Sequence, residues 1–364
     1  MRVYAIILAG GRGERFWPVS RRGRPKQLVP LLGERSLLQD SYARLDGWIP
    51  VERRWLVAGS YLMDAIHGQI PDLDLSRCVA EPVARNTAAA IGATAALIEA
   101  RDPDAVLLVL PSDHWIPDAD DFRRDVERAA AAAGAIGGLH LFGIPIVYPE
   151  TGYGYVERGE EMAGHPGTYR VVRFHEKPDR GKAIAYASRP DMLWNSGIFV
   201  WKASTILDAL LAHIPQSHDA LSDLRAGLRR EGGRVTPGVE RSLDRFFHES
   251  PNESIDYAVL ERHGETYVAH ASFRWSDLGN WLSWGVLRDA DAHGNRGQGR
   301  SVLLDAEDCV VYSEGDGLVA LLGVRDLIVV RLADVTLVCS RDRAQEVRRL
   351  ARSMGENADL EPFS

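Results

Sequence analysis

Apolar positions in the first half of the chain fall into short runs separated by segments of helical period, the pattern of βαβ units. Val3–Leu8, the "RWLVAG" run around Leu56, Val106–Leu110 and "HLFGI" read as strands. These runs are continuous rather than alternating, which marks strands buried on both faces, as in parallel sheets. Between them, Ser36 stands where an N-cap opens a helix carrying Leu38, Tyr42 and Leu45 on one face. Asn86 to Arg101 predicts an alanine-rich helix with Asn86 or Thr87 as its cap. "FRRDVERAAAAAG" predicts another, ended by Gly134. The sum is an α/β architecture, a doubly wound sheet with ligands at the carboxyl ends of its strands.

From about residue 150 to 290, strands ("YRVVRFHEKP", "SGIFVWK") mix with helices. Beyond Arg300 the pattern changes to short β-rich runs, "SVLLDAEDCVVYSEG", "GLVALLGV" and "DLIVVRLADVTLVCS", followed by a polar helix, "RDRAQEVRRLARSM". A boundary near 290 therefore separates a large domain, 1–290, from a small β-rich one, 291–364. Alternating apolar residues in the small domain need another surface to cover them, which points to a homodimer.

Composition adds exclusions. With 364 residues, 45% hydrophobic and 26% charged, the chain can bury a sizeable core as an ordinary soluble globular protein. A net charge of −8 argues against a dedicated nucleic-acid binder but leaves room for a local basic pocket. No window approaches ~20 apolar residues, so no membrane-spanning helix is expected. The opening apolar run is followed at once by glycines and charges without a cleavage pattern, so it reads as a strand and not a signal peptide. Cys78, Cys309 and Cys339 form no CxxC pair and no metal-ligand spacing, which suits a reducing cytoplasm.

The chemistry starts in "ILAGGRGERFWPVSRRGRPKQL", Ile7 to Leu28. A glycine-rich turn after a buried strand usually binds phosphate. A dinucleotide fingerprint needs a third small residue where Phe16 stands, and its acid belongs at the end of the next strand, not at Glu34 or Asp40. The GxxxxGK[ST] phosphate loop is absent. What remains is a long basic loop in which Gly10, Gly11 and Gly13 let backbone N–H groups approach a polyphosphate. Arg15 and Lys26 then add charge beyond them.

These residues resemble the sugar-1-phosphate nucleotidyltransferases, and within them the mannose-1-phosphate guanylyltransferases. The family pattern LAGGxGxRxWPxSxxxxPKQ is matched by Leu8 through Gln27. "EPVARNTAAAI", "LPSDH", "PETGYGYVE", "FHEKPD", "WNSGIF", "SIDYAVLE" and "WSDLGNW" follow in the family's order and cover nearly the whole chain. The resemblance implies a Rossmann-like nucleotidyltransferase domain, a mixed sheet flanked by helices, with a small C-terminal left-handed β-helix-like domain. Longer relatives carry a further isomerase domain of cupin type, and the sequence given ends before one would fit.

The implied reaction is attack of a sugar-1-phosphate oxygen on the α-phosphorus of GTP, with mannose 1-phosphate as the sugar substrate. It demands alignment and charge neutralisation more than covalent help. Asp113, following a buried strand, and Asp277 are the expected ligands of Mg²⁺ or another divalent cation. Arg15 and Lys26 are expected on the β- and γ-phosphates. Nucleotide contacts are expected at Leu8, Gly10, Gly11, Gly13, Glu81, Asn86 and Thr87, with Arg85 directed at either base or polyphosphate. Gly152, Glu176, Lys177 and Asn195 are expected on the sugar phosphate. His114 reads as structural, because a sugar phosphate is already ionised at neutral pH. Asp256 reads as a positioning residue, and Tyr153 and Tyr155 fit either a sugar-pocket wall or the core. Rival readings are a guanylyltransferase for another sugar such as heptose, a non-catalytic nucleotide-sugar-binding paralogue, and a dinucleotide-dependent oxidoreductase.

Overall fold

Nine strands form one mixed sheet in the computed structural model, which describes residues 2–364. They are β1 (Val3–Leu8), β2 (Arg54–Gly59), β3 (Cys78–Glu81), β4 (Val106–Pro111), β5 (Leu139–Pro145), β6 (Tyr155–Glu161), β7 (Thr168–His175), β8 (Met192–Lys202) and β9 (Thr266–His270). Their order is β3-β2-β1-β4-β8-β5-β9-β7-β6. The first four run parallel, and β8 lies antiparallel between β4 and β5. This sheet belongs to a unit made of residues up to Gly10, Ser41–Ser112 and Ile116–Trp275.

The continuous apolar runs fold as read: Ala5, Ile6 and Ile7 in β1 and Leu107, Leu108 and Val109 in β4 are fully buried. The helix Asn86–Glu99 is buried from Ala88 onward. Alanines and Gly92 let it lie close to its neighbours, and a Cβ at Gly92 would press on Leu210 and Phe246. Two helix limits differ from expectation. Ala119–Ile136 continues through Gly134 because Ala129, Ala130, Ala132 and Ala133 are all buried, which outweighs the ~1 kcal/mol a helical glycine costs. Gly137, at φ 69°, ends it instead. The Leu37–Ala43 helix stops before Leu45, and Ser36 with Gln39 closes a capping box at its start.

The second unit is assembled from Gly11–Asp40, Asp113–Trp115 and Ser276–Ser364. Its strands are β10 (Arg296–Gln298), β11 (Ser301–Leu304), β12 (Val310–Ser313), β13 (Val319–Leu322), β14 (Leu327–Arg331) and β15 (Thr336–Ser340). β10, β12 and β14 stack in parallel, β11 and β13 form a second parallel ladder, and β15 closes antiparallel on β14. Successive coils of one chain thus stack as in a β-helix. Asp305, Asp308 and Asp326 turn corners at positive φ, a conformation Asp tolerates better than most residues.

The apolar face of β12 and β14 is covered inside this unit. Val310, Tyr312, Ile328 and Val330 pack with Phe16, Trp17, Trp281 and Trp284. The Trp281 and Trp284 indole N–H groups donate to the carbonyls of Trp17 and Leu31, so burying them leaves no donor unpaired. The expected need for an outside surface is therefore met on this face by the unit's own tryptophans. A strip on the β11–β13 side stays exposed, including Leu304 and Leu322 (71% accessible).

Candidate active site

The glycine-rich loop is shaped around one lysine. Gly13 adopts φ 63°, and a Cβ there would collide with Cβ of Lys26 and touch Ser20 Oγ. Ser20 donates to the Arg12 carbonyl at 2.7 Å, and Gln27 Nε2 donates to the Gly11 carbonyl at 3.3 Å, which fold the loop back on itself. Lys26 itself is only 4% accessible and follows Pro25 into a short turn, Lys26–Leu28. Its Nζ lies 2.7 Å from Asp113 Oδ2 and donates to the carbonyls of Asp277 (2.8 Å) and Leu278 (2.9 Å).

The two aspartates come together through a backbone bridge. Trp115 and Ser276 exchange N–H···O bonds of 2.9 and 3.1 Å, which places their chain segments side by side. Leu278 takes φ 46°, and the Gly279 N–H donates to Asp277 Oδ1 at 2.8 Å, fixing that turn. Burial alone would raise the Asp113 carboxyl. The Lys26 ammonium, helped by His114, outweighs this and holds it below the usual carboxylate range.

Arg15, Lys26, Asp113 and Asp277 line one cavity of about 780 Å³, as does Gly13. Arg15 Nε is buried there without a hydrogen-bond partner, an arrangement that invites an anion. The same cavity is lined by Arg348, Arg352 and Glu356, which the sequence reading did not select. Arg352 pairs with Glu14 at 2.9 Å. Further contacts tie the loop to the end of the described chain: Trp17 Nε1 donates to the Phe363 carbonyl at 2.7 Å, and the Arg22 N–H to the Ser364 carbonyl at 3.0 Å. Arg21 forks onto Asp334 with bonds of 2.7 and 2.8 Å.

Among the described residues no group of three or more His, Cys, Asp and Glu side chains is placed to hold a metal ion unaided. The donor set that fits is smaller: two carboxylates on one anion-seeking cavity, with phosphate and water oxygens needed to complete an oxygen shell.

The residues read as sugar-side gather in the first unit. Lys177, at φ 44°, pairs with Glu176 Oε1 at 2.6 Å, and Glu176 is almost wholly buried. Asn195 Nδ2 donates to Asp256 Oδ1 at 2.8 Å, which adds Asp256 to this group as a direct partner. Burial, and then the Glu176 carboxylate, push Asp256 up to about 6. The "TGYGY" loop is laced to the group by backbone bonds, Asn195 N–H to Gly154 O (2.8 Å) and Lys177 N–H to Tyr153 O (3.2 Å). Gly154 is the glycine that close approach requires, since a Cβ there would strike Glu176 Oε2. Gly152 donates to Glu150 Oε1 at 2.8 Å. Tyr155 is fully buried, which settles its place in the core.

Residues read as base-side also lie in the first unit, which includes Leu8 and Gly10. Burial pushes Glu81 up to about 7. Asn86 enters its helix at φ 64° with Arg85 in the cap position, and its Oδ1 accepts the Thr87 N–H at 2.9 Å. Thr87 Oγ1 accepts the Ile255 N–H at 2.9 Å, tying this helix start to the "SIDYAVLE" segment. Arg85 donates to the carbonyls of Phe247 (3.1 Å) and His248 (3.0 Å) near the end of the Pro237–Glu249 helix.

Comparison with known proteins bears on the whole chain. Residues 4–292 match the Nucleotidyl transferase family, and residues 299–354 match the MannoseP isomerase/GMP-like beta-helix domain. Xanthan biosynthesis protein XanB of Xanthomonas campestris pv. campestris is 38% identical over 96% of this chain and 72% of its own length. Mannose-1-phosphate guanylyltransferase of Escherichia coli is 35% identical over 98% of this chain and 74% of its own. A crystal structure described as mannose-1-phosphate geranyltransferase from Thermus thermophilus superposes with a TM-score of 0.84 at 34% identity, covering 97% of this chain and 99% of that one. With its mixed sheet, stacked β-coils and cation-lined cavity, the chain belongs to the nucleotidyl transferase family and carries a MannoseP isomerase/GMP-like beta-helix domain after it.

Proposed function

We propose that this protein transfers GMP from GTP to mannose 1-phosphate, releasing pyrophosphate and GDP-mannose. The observation that carries the reading is the convergence of Lys26 on Asp113 and on the Asp277–Leu278 carbonyls, at a cavity that also presents Arg15. An oxygen of the sugar phosphate forms the new bond to the α-phosphorus as the bond to the β-phosphate oxygen breaks, and pyrophosphate leaves. The nucleophile is already ionised, so no side chain has to remove a proton, and His114 is left in a structural role.

Arg15 and Lys26 neutralise the triphosphate and its departing end, where preorganised charge is worth most. Asp113 and Asp277 would hold a divalent cation such as Mg²⁺, which supplies charge neutralisation on the phosphates when bound. Lys26 also keeps Asp113 ionised and in place for that role. On the sugar side, Glu176, Asn195 and Asp256 offer acceptors for hydroxyls, and Lys177 suits the sugar's phosphate. Gly11 and Gly13 would bring backbone to the nucleotide, and Glu81, Asn86 and Thr87 would present fixed polar groups to guanine. Such a pocket can reject a base with the wrong edge by ~10⁴ or more.

Two further assignments rest on less local features. The exposed β11–β13 strip supports a homodimer, and a monomeric mass by light scattering at micromolar concentration counts against it. No helix among the described residues is long and apolar enough to cross a membrane, and the three free cysteines suit the cytoplasm.

The test is pyrophosphate release across the nucleoside triphosphates, each paired with several hexose and heptose 1-phosphates. GTP with mannose 1-phosphate should be the fastest pair. Faster release with a heptose 1-phosphate transfers the reading to that sugar, and binding of GDP-mannose without turnover by any pair leaves a regulatory paralogue.

A further inference from the structure

Residues of the last α-helix, Val347–Gly355, and its cap residue Glu356 line more than one cavity. Arg348, Arg352 and Glu356, spaced by four residues and so on one face, line the cavity that holds Lys26 and Asp113. Arg349, one position on, pairs with Glu346 and lines a different cavity with Ser353. The first face therefore brings two guanidinium groups to the proposed phosphate site from a segment more than 300 residues along the chain.

Charge pairing inside the cavity is uneven. Lys26 is matched by Asp113, and Arg352 by Glu14. Among the described residues Arg348 has no ion-pair partner, and Arg15 keeps its buried, unpartnered Nε. The pairing of Arg352 with Glu14 has a second effect: it neutralises a carboxylate that would otherwise repel an anion at the same wall. Guanidinium groups favour phosphate oxygens because their planar fork can donate two parallel bonds.

We propose that Arg348 binds the pyrophosphate end of the nucleotide, with Arg352 as a positioning residue that holds Glu14 and the glycine-rich loop. The beta-helix domain thereby supplies part of the substrate site rather than only support. This rests on the reading of the cavity as a triphosphate site.

The experiment is calorimetric titration of inorganic pyrophosphate, with magnesium present, into the full chain and its variants Arg348→Gln, Arg348→Lys and Arg349→Gln. Arg348→Gln should weaken pyrophosphate binding about tenfold or more, Arg348→Lys by less, and Arg349→Gln by under about twofold. In the transfer assay, KM for GTP should rise in Arg348→Gln while KM for mannose 1-phosphate holds. Unchanged pyrophosphate binding in Arg348→Gln, equal weakening in Arg349→Gln, or no pyrophosphate binding by the unaltered protein overturns the proposal. Selective weakening in a protein that transfers no GMP keeps it and removes the reaction instead.

Discussion

Lys26 Nζ stands 2.7 Å from Asp113 Oδ2, although the lysine is almost entirely buried. Removing the ammonium strands a carboxylate and two backbone carbonyls. Lys26→Ala should cost about 2–3 kcal/mol of stability, less than a fully buried pair because Asp113 keeps some solvent contact. Turnover should fall by ~10² or more even at saturating GTP. Urea unfolding and single-turnover assays read the two effects separately, and an effect confined to mannose 1-phosphate affinity would move Lys26 to the other substrate.

Asp277→Asn separates charge from shape. An amide oxygen can still accept the Gly279 N–H, so the turn should survive and thermal melting should change little. Loss of the negative charge should lower turnover by ~10² or more in magnesium. Near-normal activity would remove the metal assignment from this residue.

Gly13→Ala forces a Cβ against Lys26 at positive φ. The expected cost is about 2–5 kcal/mol, from ~1–2 for the left-handed backbone and ~1–3 for overpacking. Gly10→Ala is the control, since nothing lies within 4 Å of a Cβ there. Melting temperatures should drop for the first variant and hold for the second; equal behaviour would contradict the described loop.

Asp256 gives a pH signature. Its carboxyl sits at about 6 in the folded protein, above the ordinary value of 3.8. The folded state therefore favours the protonated form, and the group's relative stabilisation is present below about 4 and lost as pH rises to about 6. Asp256→Asn should match the unaltered protein in melting temperature near pH 4 and exceed it above pH 6. Parallel melting curves across that window would show that Asp256 does not titrate as described.

Elements buried on both faces were legible from the chain alone. The strands β1, β2 and β4 announce themselves as unbroken apolar runs, and the opening loop as a basic glycine-rich one. Gly134 misled because a local breaker signal carries no information about the buried alanines around it. Gly152 and Gly154 are equivalent as letters, and only the approach of Glu176 distinguishes them. Arg348 and Arg352 lie in an arginine-rich helix where every guanidinium looks solvated. Arg352 is placed by its contact with Glu14, 338 residues away, and Arg348 lines the same cavity one turn earlier; periodicity offers no signal for either.

The interleaved second unit has a consequence for the order in which the protein is made. The loop holding Gly13 and Lys26 leaves the ribosome early, yet its partners lie 251 residues downstream at Asp277 and 346 downstream at Phe363. Until those residues emerge, Lys26 lacks the carbonyls that fix it and Trp17 lacks an acceptor for its indole N–H. A nascent chain ending near residue 275 has all the strands of the nine-stranded sheet but only fragments of the cavity wall. GTP capture should therefore begin late in translation, with the last helix.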